Sequence, residues 1–248
     1  MRNNQPVTQR EYAFPDQQRL ISTTDLTGKI TYCNDIFAEV SGFERSELIG
    51  APHNLIRHPD VPSAVFGHMW ATLKDGKPWM GIVKNRRNNG DHYWVNAYVT
   101  PVLDAQRKVI GYESVRTKPT REQVGRAEAL YARLNAGKSG VPQRDKWLPT
   151  VVNWLPFIVI SQIGFLIGAW HDHGWGFALA ALLSIPLGLI GRHWQMRGMQ
   201  RLLGLAQQST SDPLIAKMYT DSHGAEAQLE MALLSEHARL KTCLTRLQ

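Results

Sequence analysis

Two long segments without charge divide this chain of 248 residues. Residues 148–170 and 175–191 contain no Asp, Glu, Lys, Arg or His, and only His-Asp-His-Gly separates them. A bilayer core takes roughly 20 helical residues, and about 17 suffice at the short end. Tryptophans gather toward the ends of both segments, as interfacial anchors do. The pattern predicts a two-helix transmembrane hairpin over residues 147–192.

The charges beside these segments predict an orientation. Arg144 and Lys146 precede the first segment, Arg192, Arg197 and Arg201 follow the second, and the connecting turn holds no Lys or Arg. Positively charged flanks stay on the cytoplasmic side of a membrane. We therefore expect both termini in the cytoplasm. A buried helical hairpin of a soluble protein is the alternative, disfavoured because charge-free runs of this length are rare in soluble cores.

Before the hairpin, residues 8–119 alternate short apolar runs with Gly, Asn and Asp, as mixed α+β domains do. Two strand candidates come first, several short helices follow, and three further strand candidates close the region. This order predicts an α+β domain: a five-stranded antiparallel sheet with short helices on one face and a pocket between the layers. The strand candidates are residues 21–24, 29–33, 81–85, 92–103 and 108–117.

Helical patterns flank the predicted hairpin. Residues 120–146 read as a helix with Thr120 as its N-cap, followed by a short linker. Residues 193–248 read as a helical cytoplasmic stalk, in which leucines from Leu229 onward recur near a heptad spacing that Glu236 interrupts. Two interpretations stay open for this last helix: a solvated amphipathic helix, or one of the two helices of a parallel homodimeric stalk.

Composition narrows the function classes. The formal net charge of +7 suits an anionic surface or a phosphate-bearing ligand. The basic run over residues 84–87 is too short, and lacks a recognition helix, for a nucleic-acid site. The two cysteines are far apart and indicate neither a disulfide framework nor a zinc site. The chain holds no Gly-x-Gly-x-x-Gly phosphate loop and no kinase or cyclase motif, so we expect no enzyme.

Three stretches within residues 8–119 indicate a protein family more specifically than the composition does. Residues 30–37 read Ile-Thr-Tyr-Cys-Asn-Asp-Ile-Phe, residues 52–60 read Pro-His-Asn-Leu-Ile-Arg-His-Pro-Asp, and residues 84–91 read Lys-Asn-Arg-Arg-Asn-Asn-Gly-Asp. The first stretch resembles the opening of PAS domains. The other two together resemble the FAD-binding PAS domain of bacterial aerotaxis receptors, a family in which a membrane hairpin follows the PAS domain.

The resemblance implies FAD as the cofactor and assigns Arg57, His58, His53 and Asp60 to its retention. The chemistry of these residues agrees, because a pyrophosphate needs cationic or N–H donors. The alternatives are a surface ion pair between Arg57 and Asp60, and polar loop positions for both histidines.

Further candidates concern the flavin ring. Trp70 and Trp79 are candidate walls, although tryptophan at helical spacing is more often a core residue. Asn85 is the candidate for a hydrogen bond to the isoalloxazine edge, since an amide offers both a donor and an acceptor. The remaining candidates are Asn34, Asn54 and Tyr93, of which Tyr93 also follows the strand alternation of a core residue.

The resemblance implies a redox or oxygen sensor in the bacterial inner membrane, with a chemotaxis histidine kinase and its coupling protein as partners. Residues 193–248 then correspond to HAMP-like or proximal signalling helices, without the family's kinase-control tip. A blue-light photoreceptor is disfavoured because Leu55, not a reactive cysteine, follows Asn54. A PAS domain that binds haem and acts only as a binding module is the other alternative.

Overall fold

The computed structural model describes residues 4–143 and 212–245, together with isolated positions between 147 and 197. Strands β1 (Leu20–Thr24) and β2 (Ile30–Cys33) come first. Helices α1 (Asp35–Ser41) and α2 (Arg45–Leu48), a 3-10 helix (His53–Ile56) and α3 (Ser63–Lys74) follow. The chain continues with β3 (Trp79–Arg86), β4 (His92–Leu103), β5 (Val109–Thr117), α4 (Arg121–Asn135), α5 (Pro213–Ala216) and α6 (Ala225–Thr245).

The five strands form one antiparallel sheet in the order β2-β1-β5-β4-β3. The predicted five-stranded antiparallel sheet is thus confirmed. Side chains on β4 alternate between its faces. Ala97 and Val99 line a cavity beneath the 3-10 helix and α3, whereas Trp94 faces the opposite side and stacks on Tyr131 of α4 at a centroid distance of 6.1 Å. We call these the inner and outer faces of the sheet.

Local signals in the sequence explain where the flanking helices begin and end. The Asn34 side chain accepts a hydrogen bond from the Phe37 N–H at the start of α1, and Gly42 ends that helix with a φ of 72°. Thr120 and Gln123 form a capping box at the start of α4, as the sequence predicts. Helix α4 is thereby anchored directly after β5 and packs against the outer face of the sheet.

The C-terminal segment, which we define as residues 212–245, also covers the outer face. Ile215, Met218 and Met231 are fully buried and belong to the same hydrophobic core as the sheet. The Tyr219 hydroxyl donates to the Asn96 side chain of β4 at 2.6 Å, and Arg126 of α4 binds Asp221 at 2.5 Å. The helix that the sequence predicts as a stalk therefore packs on the sheet through its small and apolar side.

The predicted transmembrane hairpin requires correction. No helix in the described ranges is both long and apolar enough to cross a membrane. The longest helix described, α6, carries Glu226, Glu230 and Glu236 and is too polar to cross a bilayer. This finding overturns the predictions of a membrane hairpin, of an inner-membrane location and of two cytoplasmic termini. Most of residues 147–192 lie outside the described part of the chain, as do residues 198–211.

Candidate functional site

A cavity of about 360 Å³ lies between the inner face of the sheet and the layer formed by the 3-10 helix and α3. Its walls are mostly apolar, with a few polar groups among them, as expected of a small-molecule site. Of the described residues that line it, two are Arg and none is Asp or Glu. The polar and charged lining residues are Ser22, Thr24, Thr27, His53, Asn54, Arg57, Asn85, Ser114 and Arg116.

The 3-10 helix brings His53, Asn54 and Arg57 to one end of the cavity. The Arg57 backbone pairs with Asn85 on β3 as an isolated bridge, so two predicted site residues meet across the wall. The Arg57 guanidinium lies 4.0 Å from the Phe66 ring centroid and donates to the Val61 carbonyl at 2.9 Å. Burial lowers the pKa of Arg57, although the group stays cationic at neutral pH.

Arg116 on β5 is a buried cation in the opposite wall. It is 4 % exposed, donates to Ser22 Oγ at 3.0 Å, and lies 2.6 Å from His53 Nε2. Burial lowers the pKa of Arg116 to about 10. Removal from water and the Arg116 charge lower the pKa of His53 to about 3, so the imidazole is neutral and its Nε2 accepts from the guanidinium. Among the lining residues that the structure describes, the cavity therefore holds a positive charge without a facing carboxylate.

Two tryptophans supply flat apolar walls. Trp79 at the start of β3 is 1 % exposed, and its ring lies over Gly81, where a Cβ would come within 2.3 Å of the indole. Trp70 on α3 meets Tyr112 edge-on at a centroid distance of 5.4 Å. The absence of a side chain at Gly81 thus gives Trp79 its position, and both rings are available to a planar ligand.

Polar atoms in the cavity wall lack partners. Within the described residues, no hydrogen bond reaches Thr24 Oγ1, Arg57 Nε, Asn85 Nδ2 or Ser114 Oγ, and each of these atoms is buried. Buried polar groups are normally bonded, and each exception needs an explanation. Flat walls, unbonded amide and hydroxyl groups, and two cations fit the donor set that a flavin nucleotide requires, namely ring contacts, hydrogen bonds to a polar edge, and anion binding.

Six of the ten predicted site residues therefore line one cavity. They are His53, Asn54, Arg57, Trp70, Trp79 and Asn85. The structure does not bring Asn34 or Tyr93 to its surface. Asn34 instead caps α1 and donates to the Arg19 carbonyl at 2.8 Å. Tyr93 is fully buried against Phe14, with its hydroxyl near Asn85, and burial raises the pKa of its phenol.

His58 and Asp60 also lie outside the cavity lining. His58 is fully buried and contacts the His92 ring edge-on at 5.8 Å, while Asp60 accepts from Lys84 Nζ at 2.7 Å. Burial and the Lys84 charge lower the pKa of His58 to about 4. These groups join the segment after the 3-10 helix to β3 and β4, so the structure gives them a packing role next to the cavity.

Arg116 is the important lining residue that sequence reasoning missed. A signal was present, because Tyr112, Ser114 and Arg116 share one parity along β5 and so point to one face. If Tyr112 faces inward, the same parity puts Arg116 on the inner face as well. An arginine at an inward position of a central strand indicates a buried charge, which is rarely accidental.

Residues 30–116 match the family model described as PAS fold. The sheet order, the helical layer and the cavity between them agree with that match, so this part of the chain has the PAS fold.

Among curated proteins, the aerotaxis receptor of Escherichia coli (strain K12) is 50% identical over 148 residues, covering 57% of this chain and 29% of the receptor. The hybrid signal transduction histidine kinase L of Dictyostelium discoideum is 35% identical over 101 residues, covering 40% of this chain and 6% of the kinase. The chain therefore spans less than a third of the length of either relative. The expected resemblance to aerotaxis receptors is supported for the PAS domain; for the membrane hairpin it is not.

Among solved structures, the dark structure of the blue-light photoreceptor Aureochrome1 LOV is similar at a TM-score of 0.41 and 17% identity. The alignment covers 48% of this chain and 86% of that one. A likeness at this level carries no functional argument.

Proposed function

We propose that this protein is a signal-transduction sensor whose PAS domain holds FAD in the cavity, and that it senses redox state or oxygen without catalysing a reaction. The observation that carries the proposal is the lining itself: among the described lining residues, Arg57 and Arg116 face no carboxylate, and the Asn85 side chain lies in the wall between polar groups that have few partners. The 50% identity to a protein named as an aerotaxis receptor supports the sensory role.

The residues of the chain divide the work of holding such a cofactor. Trp70 and Trp79 would bound the plane of the flavin ring, and Arg57, at the same end of the cavity as Asn54, would be the cation for a phosphate. Asn85 and Arg116 would face the ring edge, and the bound cofactor would supply the redox chemistry there, with a hydrogen-bonding pattern that depends on its redox state. An amide can donate through its N–H or accept through its oxygen. Rotation of the Asn85 side chain would therefore match the hydrogen-bonding pattern of either redox state.

A sensor also needs a receiver for the signal. The C-terminal segment packs on the outer face of the sheet that forms the cavity floor, so a shift of the strands reaches it directly. Within this proposal the partners are a second copy of the chain, a histidine kinase of the chemotaxis type and a coupling protein. Signalling requires different contacts in the two redox states, with a coupling free energy of about 1–3 kcal/mol.

An absorption spectrum of the purified full-length chain, before and after addition of FAD, tests the cofactor. We expect flavin bands near about 375 and 450 nm, because these belong to the isoalloxazine. A Soret band would instead identify haem; this outcome is disfavoured because His53, the one histidine among the described lining residues, already receives Arg116 at its Nε2. Folded, colourless protein that takes up no added FAD would overturn the proposal.

A further inference from the structure

A chain of two hydrogen bonds leads from the cavity wall to the C-terminal segment. The Trp79 indole Nε1 donates to His68 Nδ1 at 3.1 Å. On the other side of the same imidazole, His68 Nε2 lies 3.0 Å from Asp212 Oδ2. His68 is on α3, and its side chain is 22% exposed, whereas Trp79 is 1 % exposed.

The direction of these bonds follows from the donors. An indole N–H only donates, so His68 Nδ1 must be the acceptor. The ring proton is then on Nε2, which donates to the Asp212 carboxylate. This chain of two hydrogen bonds through His68, which we call the relay, therefore forms with a neutral imidazole. A single tautomer satisfies both of its ends.

Both ends of this relay are anchored. Trp79 lines the cavity and is held over Gly81, so it can move only with the cavity wall. Asp212 is the N-cap of α5, where its Oδ1 accepts from the Leu214 N–H at 2.7 Å. The next turn places Ile215, fully buried, in the core. The His68 imidazole thus joins a residue that a ligand contacts to the residue that starts the C-terminal segment.

We propose that His68 is a positioning residue that couples the cavity to the C-terminal segment by holding Trp79 and Asp212 together. A ligand or redox change that shifts the Trp79 ring alters the Nε1–Nδ1 bond, and with it the donor that fixes the cap of α5. A ligand biases an equilibrium only through contacts that differ between its states, and this relay supplies such a contact. The redox part of the inference rests on the proposed function; the contact itself does not.

Hydrogen exchange of the backbone amides of residues 214–220, in the full-length chain, tests the coupling. His68→Phe keeps a flat ring and removes both bonds. We expect exchange in this region to become roughly tenfold faster, because the cap loses its anchor to α3. His68→Gln, whose amide accepts and donates, should restore slow exchange. Thr72→Ala is the matched control, because Thr72 bonds only the His68 carbonyl from within the same helix.

The redox arm of the experiment uses protein loaded with FAD, oxidised or reduced with dithionite. In the wild type we expect exchange at residues 214–220 to differ between the two states, and in His68→Phe we expect that difference to vanish while bound flavin stays constant. A redox difference that persists unchanged in His68→Phe would contradict the coupling.

Failure of the two proposals can be told apart. If the wild type binds no flavin, the proposed cofactor is wrong, yet the comparison of wild type, His68→Phe and His68→Gln without flavin still tests the relay. Equal exchange rates in the wild type, His68→Phe and His68→Gln would contradict the relay, whichever cofactor the protein binds. Near-ultraviolet circular dichroism shows whether the variants keep their tertiary packing.

Discussion

At Arg116 the protein keeps a guanidinium away from water, with no carboxylate beside it in the described part of the chain. Its partners are a hydroxyl and a neutral imidazole, Ser22 and His53. Burial of a cation costs free energy that neutral partners offset only in part. A buried cation of this kind suits a site that binds an anionic ligand. In the ligand-free protein its burial lowers the free energy of unfolding.

Arg116→Gln is therefore expected to act in opposite directions on stability and on binding. The flavin-free protein should melt about 2–4 °C higher, since removal of an unpaired buried charge gains on the order of 1 kcal/mol. FAD affinity should fall about tenfold, because a charge-assisted contact is lost. Thermal melts and a flavin titration measure the two effects.

Arg45→Gln is the matched control for that prediction. Arg45 is exposed and pairs with Asp35 on the surface, so neither quantity should change. A lower melting temperature of the Arg116→Gln protein together with unaltered affinity would show that the guanidinium is only a structural group.

At the scale of elements, the N-terminal strap, which we define as residues 4–14, holds the 3-10 helix from outside. The Asn4 amide nitrogen lies within 3.0 Å of three carbonyl oxygens, those of Asn54, Leu55 and Arg57. Further along the strap, Thr8 bonds Asp91 at the β3–β4 turn. The strap thus binds two elements at once, and one of them carries Arg57.

Asn4→Ala should accelerate flavin dissociation about tenfold, because the carbonyls around Arg57 lose their shared donor and the cation is held less firmly. Recovery of flavin fluorescence after dilution measures the rate. Thr8→Val, which removes the side-chain bond between the same strap and Asp91, should leave dissociation near the wild-type rate. Equal acceleration in both variants would mean that the strap stabilises the domain as a whole and does not position Arg57.

The elements differ in how far the sequence predicts them. Strand alternation and the Thr120 cap were enough for the sheet and for α4. The strap was missed because its hydrogen bonds join residues about 50 or more positions apart, and no local pattern encodes such pairs. The packed side of α6 was missed because it consists largely of small residues, Ala227, Ala232 and Ser235 among them. These residues differ little in hydrophobicity from their neighbours, so the leucine spacing was the stronger pattern and pointed to a different face of the helix.

The candidate site shows the same division. Residues within one motif, such as His53 and Arg57, were found because their spacing is local. Arg116 was missed because its role depends on which strand is central, and Asp212 because it meets α3 only in the folded chain. Sequence patterns report which side chains share a face; they do not report which distant element that face meets.

At the scale of the whole molecule, the side of α6 that faces away from the sheet carries exposed leucines. Leu233 and Leu240 are 72% and 62% exposed and stand seven residues apart, on the seam that the heptad spacing predicts. Apolar side chains in such a row suit a second copy of the same helix. The proposed homodimer therefore requires no release of α6 from the sheet.

Replacing both leucines by serine should shift the full-length chain toward monomer, with at least a tenfold weaker dimer, because their burial drives the contact. Sedimentation equilibrium measures this. The control replaces Leu103 and Ile110, which are 50% and 52% exposed on the β4–β5 hairpin, by serine. A dimer that survives the first pair, or fails only with the second, would place the contact elsewhere.

The covered outer face has a practical consequence for work on the isolated sensor. A chain shortened to end at residue 143 would leave Met80, Tyr98 and Val115 without Tyr219 and α6 over them. An apolar sheet face exposed by truncation tends to associate with a second copy of the same face. Dimers of such a fragment would therefore result from the truncation. A fragment that retains residues 212–245 would avoid this.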